Sequence, residues 1–187
     1  MSQLTFRLAA AFAAATALLL AGCTGDDPIV LPGPDPTTAP VFASDEDALA
    51  AAEVAYGEYL RASAEITKKD GDDPKSIAPF VTENYLPELL ASFADLRSAK
   101  KHFVGEITFD HLELQQYSDD LVGPATVAVY LCLDLTAARV NDSTGADVTP
   151  DRPVHVPLEV TLETIDRDPE LLLASSESWT GEDFCKN

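Results

Sequence analysis

Along residues 44–71, SDEDALAAAEVAYGEYLRASAEITKKDG, apolar and small side chains recur at steps of three and four: Leu49, Ala52, Tyr56, Tyr59, Ser63 and Ile66. That period places them on one stripe of an α-helix. Ser44, with Asp47 three residues on and acids through the first turn, forms an N-cap of the capping-box kind. Lys68 and Lys69 complement the dipole of the last turn, and Gly71 can stop it. A loop with Pro74 and Pro79 follows, and Thr82 can cap a short turn. Proline is tolerated only in the first turn of a helix, so a second helix is predicted from about Pro87. It buries Leu89, Leu90, Phe93 and Leu96 and closes at Lys100 and Lys101.

From His102 onward the period becomes two. In FVGEITFDHLELQQY, Ile107 and Phe109 share one face while Leu112 and Leu114 have the opposite parity, so a bulge near Asp110–His111 is needed to bring all four inside. PATVAVYLCLDLTAARV alternates cleanly, with Val127, Val129, Leu131, Leu133 and Leu135 on one face and Tyr130 and Cys132 on the other. NDSTGADVTPDRP reads as a long turn. VHVPLEVTLETI alternates through Val154, Val156, Leu158, Val160 and Leu162. DRDPE turns the chain, and LLLASSESW is the last strand. The fold class expected is α+β: two N-terminal helices packed on one face of a curved antiparallel sheet of about four strands.

The first 43 residues have neither period. Arg7 is followed by an uncharged run, Leu8 to Ala21, of about 14 residues, short of the roughly 20 that a membrane-spanning helix needs. A short basic region, an apolar core and small residues are the order of a secretory signal. Thr24 to Ala43 holds five of the 13 prolines and has no apolar period. It reads as a semi-extended tether of at most about 60 Å, at ~3.1 Å per residue. The organisation expected is a signal over 1–22, a tether over 23–43 and one domain over 44–187. No later apolar run is long enough to span a bilayer, and there is no internal repeat.

Leu20, Ala21, Gly22 and Cys23 resemble the lipoprotein box of bacterial lipoproteins, in which an aliphatic and two small residues precede a cysteine. The resemblance implies cleavage before Cys23 and a diacylglyceryl group on its sulfur, the mature chain beginning there. Acyl chains contribute about 0.8 kcal/mol per buried methylene, and two chains hold stably where one does not. The membrane is thus one expected partner, through the lipid on Cys23. The chain has three cysteines, so lipidation of Cys23 leaves Cys132 and Cys185 as an even pair, whereas an unmodified Cys23 leaves an orphan thiol in an oxidising compartment. We expect Cys132 and Cys185 to be bonded. A redox-active pair is the alternative, without C-x-x-C spacing to support it.

The formal net charge is −20, and removal of residues 1–22 leaves 11 basic against 32 acidic side chains. Phosphate binding relies on lysine and arginine, so nucleic acid is not an expected partner. Anionic lipid heads are disfavoured for the same reason. A surface kept soluble by like charge is the plain reading, and electrostatic steering of a cationic partner is the sharper one.

The order of elements is similar to the nuclear-transport-factor-like, or cystatin-like, fold shared by ketosteroid isomerase and many small binding domains. The segments Val81-Thr82-Glu83, YLCLD, PLEVT and SWTGEDFC resemble actinobacterial lipoproteins of unassigned function. The resemblance covers about residues 77–187 and implies a cone-shaped fold able to enclose an apolar cavity.

Candidate chemistry is sparse. Ser175, Ser176 and Ser178 lie on a strand without a G-x-S-x-G turn and read as a solvated face. His102, His111 and His155 lack metal-ligand spacing, with His102 expected at a helix end and His155 on a solvent face. NDSTGAD and the DGDD of residues 70–73 lack the pattern of a calcium loop and are explained as turns. No catalytic residue, metal or cofactor is therefore assigned. The fold resemblance allows an isomerase-like pocket, a carboxylate base facing tyrosine donors, for which Tyr56, Tyr59, Tyr130, Asp110 and Asp134 have the right chemistry. The function expected is a non-catalytic, lipid-anchored domain on the extracytoplasmic face of the cell membrane, binding a protein partner or an apolar ligand. A small-molecule enzyme is the alternative, and a purely structural envelope component is a third.

Overall fold

Ser44 opens the first helix as the sequence predicts: its backbone is extended and its hydroxyl accepts the Asp47 N–H at 3.2 Å. The computed structural model describes residues 39–186. The export segment, Cys23 and the tether as far as residue 38 lie outside the described residues.

The 23-residue helix α1, Asp45–Thr67, buries Ala48, Ala52, Tyr56 and Ile66, with Leu49, Tyr59 and Ser63 half-buried beside them. At its end Gly71 has φ +74°, and its N–H bonds the Ile66 carbonyl at 2.9 Å. The loop with Pro74 and Pro79 is a short 3₁₀ helix, Pro74–Phe80, which buries Ile77. Helix α2, Leu86–Ser98, carries Pro87 in its first turn, where a missing N–H costs nothing. It buries Leu89 and Phe93, while Leu90 and Leu96 are half-buried. Lys100 does not close this helix; with φ +52° it turns the chain, and Lys101 begins a strand.

Six strands follow: β1 Lys101–Val104, β2 Thr108–Ser118, β3 Thr126–Asp134, β4 Arg139–Asp142, β5 His155–Thr164 and β6 Leu171–Ser178. Four form an antiparallel sheet in the order β2-β3-β5-β6, and β1 pairs with β4 as a separate ribbon. That ribbon is absent from the sequence reading, because both members are four residues long and neither alternates. Val129 stands opposite Val160 and Leu131 opposite Leu158, so the apolar halves of β3 and β5 share one face against α1. A buried leucine or valine gains about 2 kcal/mol over an exposed one, which fixes the parity of the central strands. Val154 falls outside β5 and is 43% exposed, contrary to its place in the alternating series.

The expected irregularity in β2 is present. His111 has φ +49°, and the register shifts between Asp110 and Glu113. A second shift between Leu114 and Gln116 turns Tyr117 inward as well. Phe109, Leu112, Leu114 and Tyr117 therefore all reach the core from one strand.

The end of the chain folds onto the outer face of the sheet. Trp179 donates its backbone N–H to the Pro157 carbonyl at 2.8 Å, and the Trp179 and Phe184 rings pack on Tyr130 at 4.9 and 5.8 Å between centroids. Cys132 and Cys185 form a disulfide, holding this tail to β3. At the other end Val41 and Phe42, read from the sequence as tether, belong to the folded unit, with Phe42 buried and edge-on to Tyr117.

Candidate functional site

Between the two helices and the inner sheet face lies an open cavity of about 480 Å³. Leu60 and Leu96 line it from the helices, Leu133 and Leu158 from the sheet, Phe103 from β1 and Ile107 from the β1–β2 connection. Gly105 makes that connection possible: its φ is +87°, and a side chain there would strike the Ala137 carbonyl. The volume is within the roughly 300–1,000 Å³ of small-molecule sites.

Six hydroxyl-bearing residues line this apolar space: Tyr56, Tyr59, Ser63, Thr67, Ser92 and Ser176. Burial pushes the Tyr56 phenol well above the ordinary tyrosine range, with Tyr59 adding to the shift and the Ser176 hydroxyl opposing it. Burial likewise pushes Tyr59 up to about 12, with Tyr85 adding and Ser63 opposing. Both phenols are neutral hydrogen-bonding groups in a site that disfavours their ionised form. Charged side chains occur only at the margin, as the exposed Asp95 and Lys101. A second groove of about 480 Å³ runs alongside, sharing Leu60, Ala64, Thr67, Phe103 and Ile107, and is edged by Glu53, Arg61, Lys68 and Glu106.

The five residues expected to form an isomerase-like pocket do not come together. Tyr56 and Tyr59 line the cavity. Tyr130 is on the opposite face of the sheet, under Trp179 and Phe184, where its hydroxyl accepts a hydrogen bond from Gln115 at 2.7 Å. Asp134 shares that outer parity, accepting the Thr136 N–H, and Asp110 stands opposite the disulfide-bonded Cys132. Strand alternation separates the carboxylates from the tyrosines. Among the described residues no carboxylate hydrogen-bonds Tyr56 or Tyr59.

The serine expectation is corrected for one residue. Ser176 stands opposite the inward Val160 and lines the cavity, because a register shift near Thr161–Leu162 changes the parity of β6. Ser178 is exposed, as a solvated face requires. Ser176 and Phe103 are cavity residues that sequence reasoning missed, as are Leu60, Thr67 and Ser92 on the helices; a serine on a strand carries no signal of which way it faces.

The histidines go to three separate aspartates: His102 to Asp70 at 3.1 Å, His111 to Asp110 at 2.7 Å and His155 to Asp134 at 3.9 Å. The Asp110 carboxylate also raises the His111 pKa through a hydrogen bond and its charge. Asp110, His111 and Cys132 cluster within 4.8 Å, but the Cys132 sulfur is committed to the disulfide and is no thiolate ligand. The NDSTGAD turn is explained by its own hydrogen bonds, Asp142 Oδ1 accepting the Thr144 and Ala146 N–H groups.

Among the described residues no helix is long and apolar enough to cross a membrane. No protein family matches the chain, and no curated protein matches it. Among the solved structures similar in backbone are two that align over nearly their whole length. The intermembrane space region of chloroplast protein ARC6 aligns with a TM-score of 0.50 and 12% identity, covering 70% of this chain and 95% of that one. A periplasmic fragment of TraM aligns with a TM-score of 0.47 and 15% identity, over 73% and 98%. At this identity the first likeness concerns the fold alone.

Proposed function

We propose that this chain is an exported lipoprotein of actinobacterial type, held to the extracytoplasmic face of the cell membrane by lipid on Cys23. Its α+β domain, of the nuclear-transport-factor-like class, binds an apolar small molecule between its helices and sheet. The observation that carries the reading is the cavity: apolar walls, a few hydroxyls, and no carboxylate paired with either tyrosine. Such an arrangement can hold and orient a molecule, and among the described residues it sets no carboxylate in hydrogen-bond contact with the tyrosines to act as a base. The disulfide supports the compartment, since such bonds form and persist outside the reducing cytosol.

Two experiments test the two halves. Growth with a tagged palmitate labels the wild-type chain and not Cys23→Ser; equal labelling removes the anchor. Solvent extraction of the purified exported chain, followed by mass spectrometry, recovers an apolar compound near one per chain, which Leu96→Trp excludes by filling the cavity. Equal recovery from Leu96→Trp removes the binding site from this cavity.

A further inference from the structure

We infer that the ligand of this cavity is an uncharged, mainly apolar molecule bearing a hydroxyl or carbonyl oxygen at one end. The inference rests on the binding reading above and adds the chemical class of what is bound.

Two phenols of α1 face the cavity together with Ser176 of β6. The Tyr56 and Tyr59 rings pack with centroids 5.8 Å apart. Ser63 stands beside Tyr59 on the same helix stripe. Each hydroxyl offers one donor and two acceptor positions, so the cluster keeps hydrogen-bonding capacity for a ligand oxygen after its internal contacts are made.

The cluster carries no formal charge. A buried carboxylate or ammonium is tolerated only when it is paired; an ionised ligand end here would meet neutral hydroxyls, and the exposed Glu88, whose charge reaches Tyr59, opposes an anionic end. At the margin, Lys101 and Asp95 are opposite in sign and exposed to solvent, so neither gives a ligand charge a committed partner. A ligand without oxygen would fill the apolar walls and leave the phenol and serine positions unused. The molecule that uses both parts has an apolar body against Leu60, Leu96, Phe103 and Ile107 and one oxygen at the tyrosines.

The test uses the full chain as Cys23→Ser, so that no attached acyl chain competes for the cavity. N-phenyl-1-naphthylamine serves as an uncharged fluorescent probe, displaced by dodecanol or by dodecanoate at pH 8. Dodecanol is expected to displace it at about tenfold lower concentration than dodecanoate, the cost of burying the unpaired carboxylate. Lengthening the alcohol by one methylene tightens it about fourfold while the chain still fits. Tyr56→Phe with Tyr59→Phe weakens dodecanol about threefold to tenfold, the worth of one hydrogen bond, and leaves the naphthylamine unchanged. Ser176→Ala is the second variant, smaller in its effect on the core and expected to act in the same direction. Equal or stronger displacement by dodecanoate overturns the inference while leaving the binding reading intact. Uniform weakening of every probe by the hydroxyl variants likewise overturns it. Failure of the naphthylamine to bind removes the binding reading and the inference together.

Discussion

Arg167 grips Asp119 across 48 residues, Nη2 to Oδ2 at 3.0 Å and Nη1 to Oδ1 beside it, with only 4% of the Asp119 side chain exposed. The same two residues receive the incoming chain: Arg167 Nη2 donates to the Ala39 carbonyl at 2.9 Å, and Asp119 Oδ2 accepts the Val41 N–H at 2.8 Å. The Tyr117 hydroxyl accepts the Phe42 N–H at 3.0 Å. The residues just ahead of α1 are thereby fixed to the ends of the β2–β3 and β5–β6 hairpins, so the chain joins the domain at one defined place.

Asp119→Asn leaves a guanidinium without its carboxylate and weakens two backbone contacts. It is expected to lower Tm by roughly 5 °C or more in a thermal melt at pH 7. Arg167→Lys, which cannot reproduce the forked pairing, is expected to lose part of the same stability. An unchanged Tm in both would show that the pair is incidental.

The Arg167 hydrogen bond holds the Asp119 carboxyl far below the usual carboxylate range, against an opposing effect of burial. A carboxyl whose folded pKa is depressed stabilises the fold above its unfolded pKa and loses that contribution as pH falls toward the folded value. Asp120, Asp134, Asp142, Asp147 and Asp183 are shifted in the same direction by local hydrogen bonds. Urea denaturation across the acid range is therefore expected to show stability falling below about pH 4 to 5. Asp119→Asn is expected to flatten that fall; an identical slope in the variant would contradict the assignment.

Burial gives the opposite sign at alkaline pH. Tyr56, Tyr59 and Tyr85 are shifted upward, Tyr59 to about 12. A raised phenol contributes stability below the unfolded value of about 10 and loses it as pH rises through the folded value. Absorbance at 295 nm is expected to keep growing above pH 11, with Tyr59→Phe removing part of the late rise. Complete titration by pH 10.5 in the folded chain would mean that the cavity is wetter than its lining implies.

The disulfide closes a loop with a sequence separation of 53. Replacing both cysteines by serine is expected to lower stability by up to about 4 kcal/mol, the chain-entropy value for that length. It also frees the tail that holds Trp179 on Tyr130. Emission from this sole tryptophan is expected to shift to the red, and an unshifted spectrum would show that the tail stays in place without the bond.

Gly71 meets two demands at once. Its φ is +74°, and a side chain there would come within 2.5 Å of the Phe93 carbonyl oxygen of α2. Gly71→Ala is expected to cost about 2 kcal/mol by urea denaturation, combining backbone strain with a contact that backbone cannot relieve. A loss below about 0.5 kcal/mol would show that the loop relaxes freely.

How much of this was legible depended on whether a residue's environment is set locally. The Ser44 cap, the α1 stripe and the faces of β3 follow from period and capping, and the bulge near His111 follows from the conflicting parity of Leu112 and Leu114. The second shift in β2 was signalled only by Tyr117, whose parity agrees with Phe109 and conflicts with Leu114. Val41 and Phe42 carried a usable signal, two large apolar residues just ahead of the Ser44 N-cap at the end of a proline-rich segment. Both cavity tyrosines were legible, as were the inward strand positions Leu133 and Leu158, while Ser176 and Phe103 were not. Tyr56 and Tyr59 fall on a helix stripe whose direction is fixed, whereas Ser176 and Phe103 are placed by pairings with distant strands. Tyr130, Asp110 and Asp134 matched the required chemistry by residue type, and sheet parity alone put them on the wrong side.

The proposed function stands on an apolar molecule held between the helices and the sheet. Titration of the Cys23→Ser chain with N-phenyl-1-naphthylamine tests it most directly, alongside Leu96→Trp in the cavity and Tyr130→Phe on the outer face. The account predicts saturable binding at one site per chain, lost in Leu96→Trp and unchanged in Tyr130→Phe. Binding that survives Leu96→Trp, or no saturable binding in any of the three chains, would contradict it.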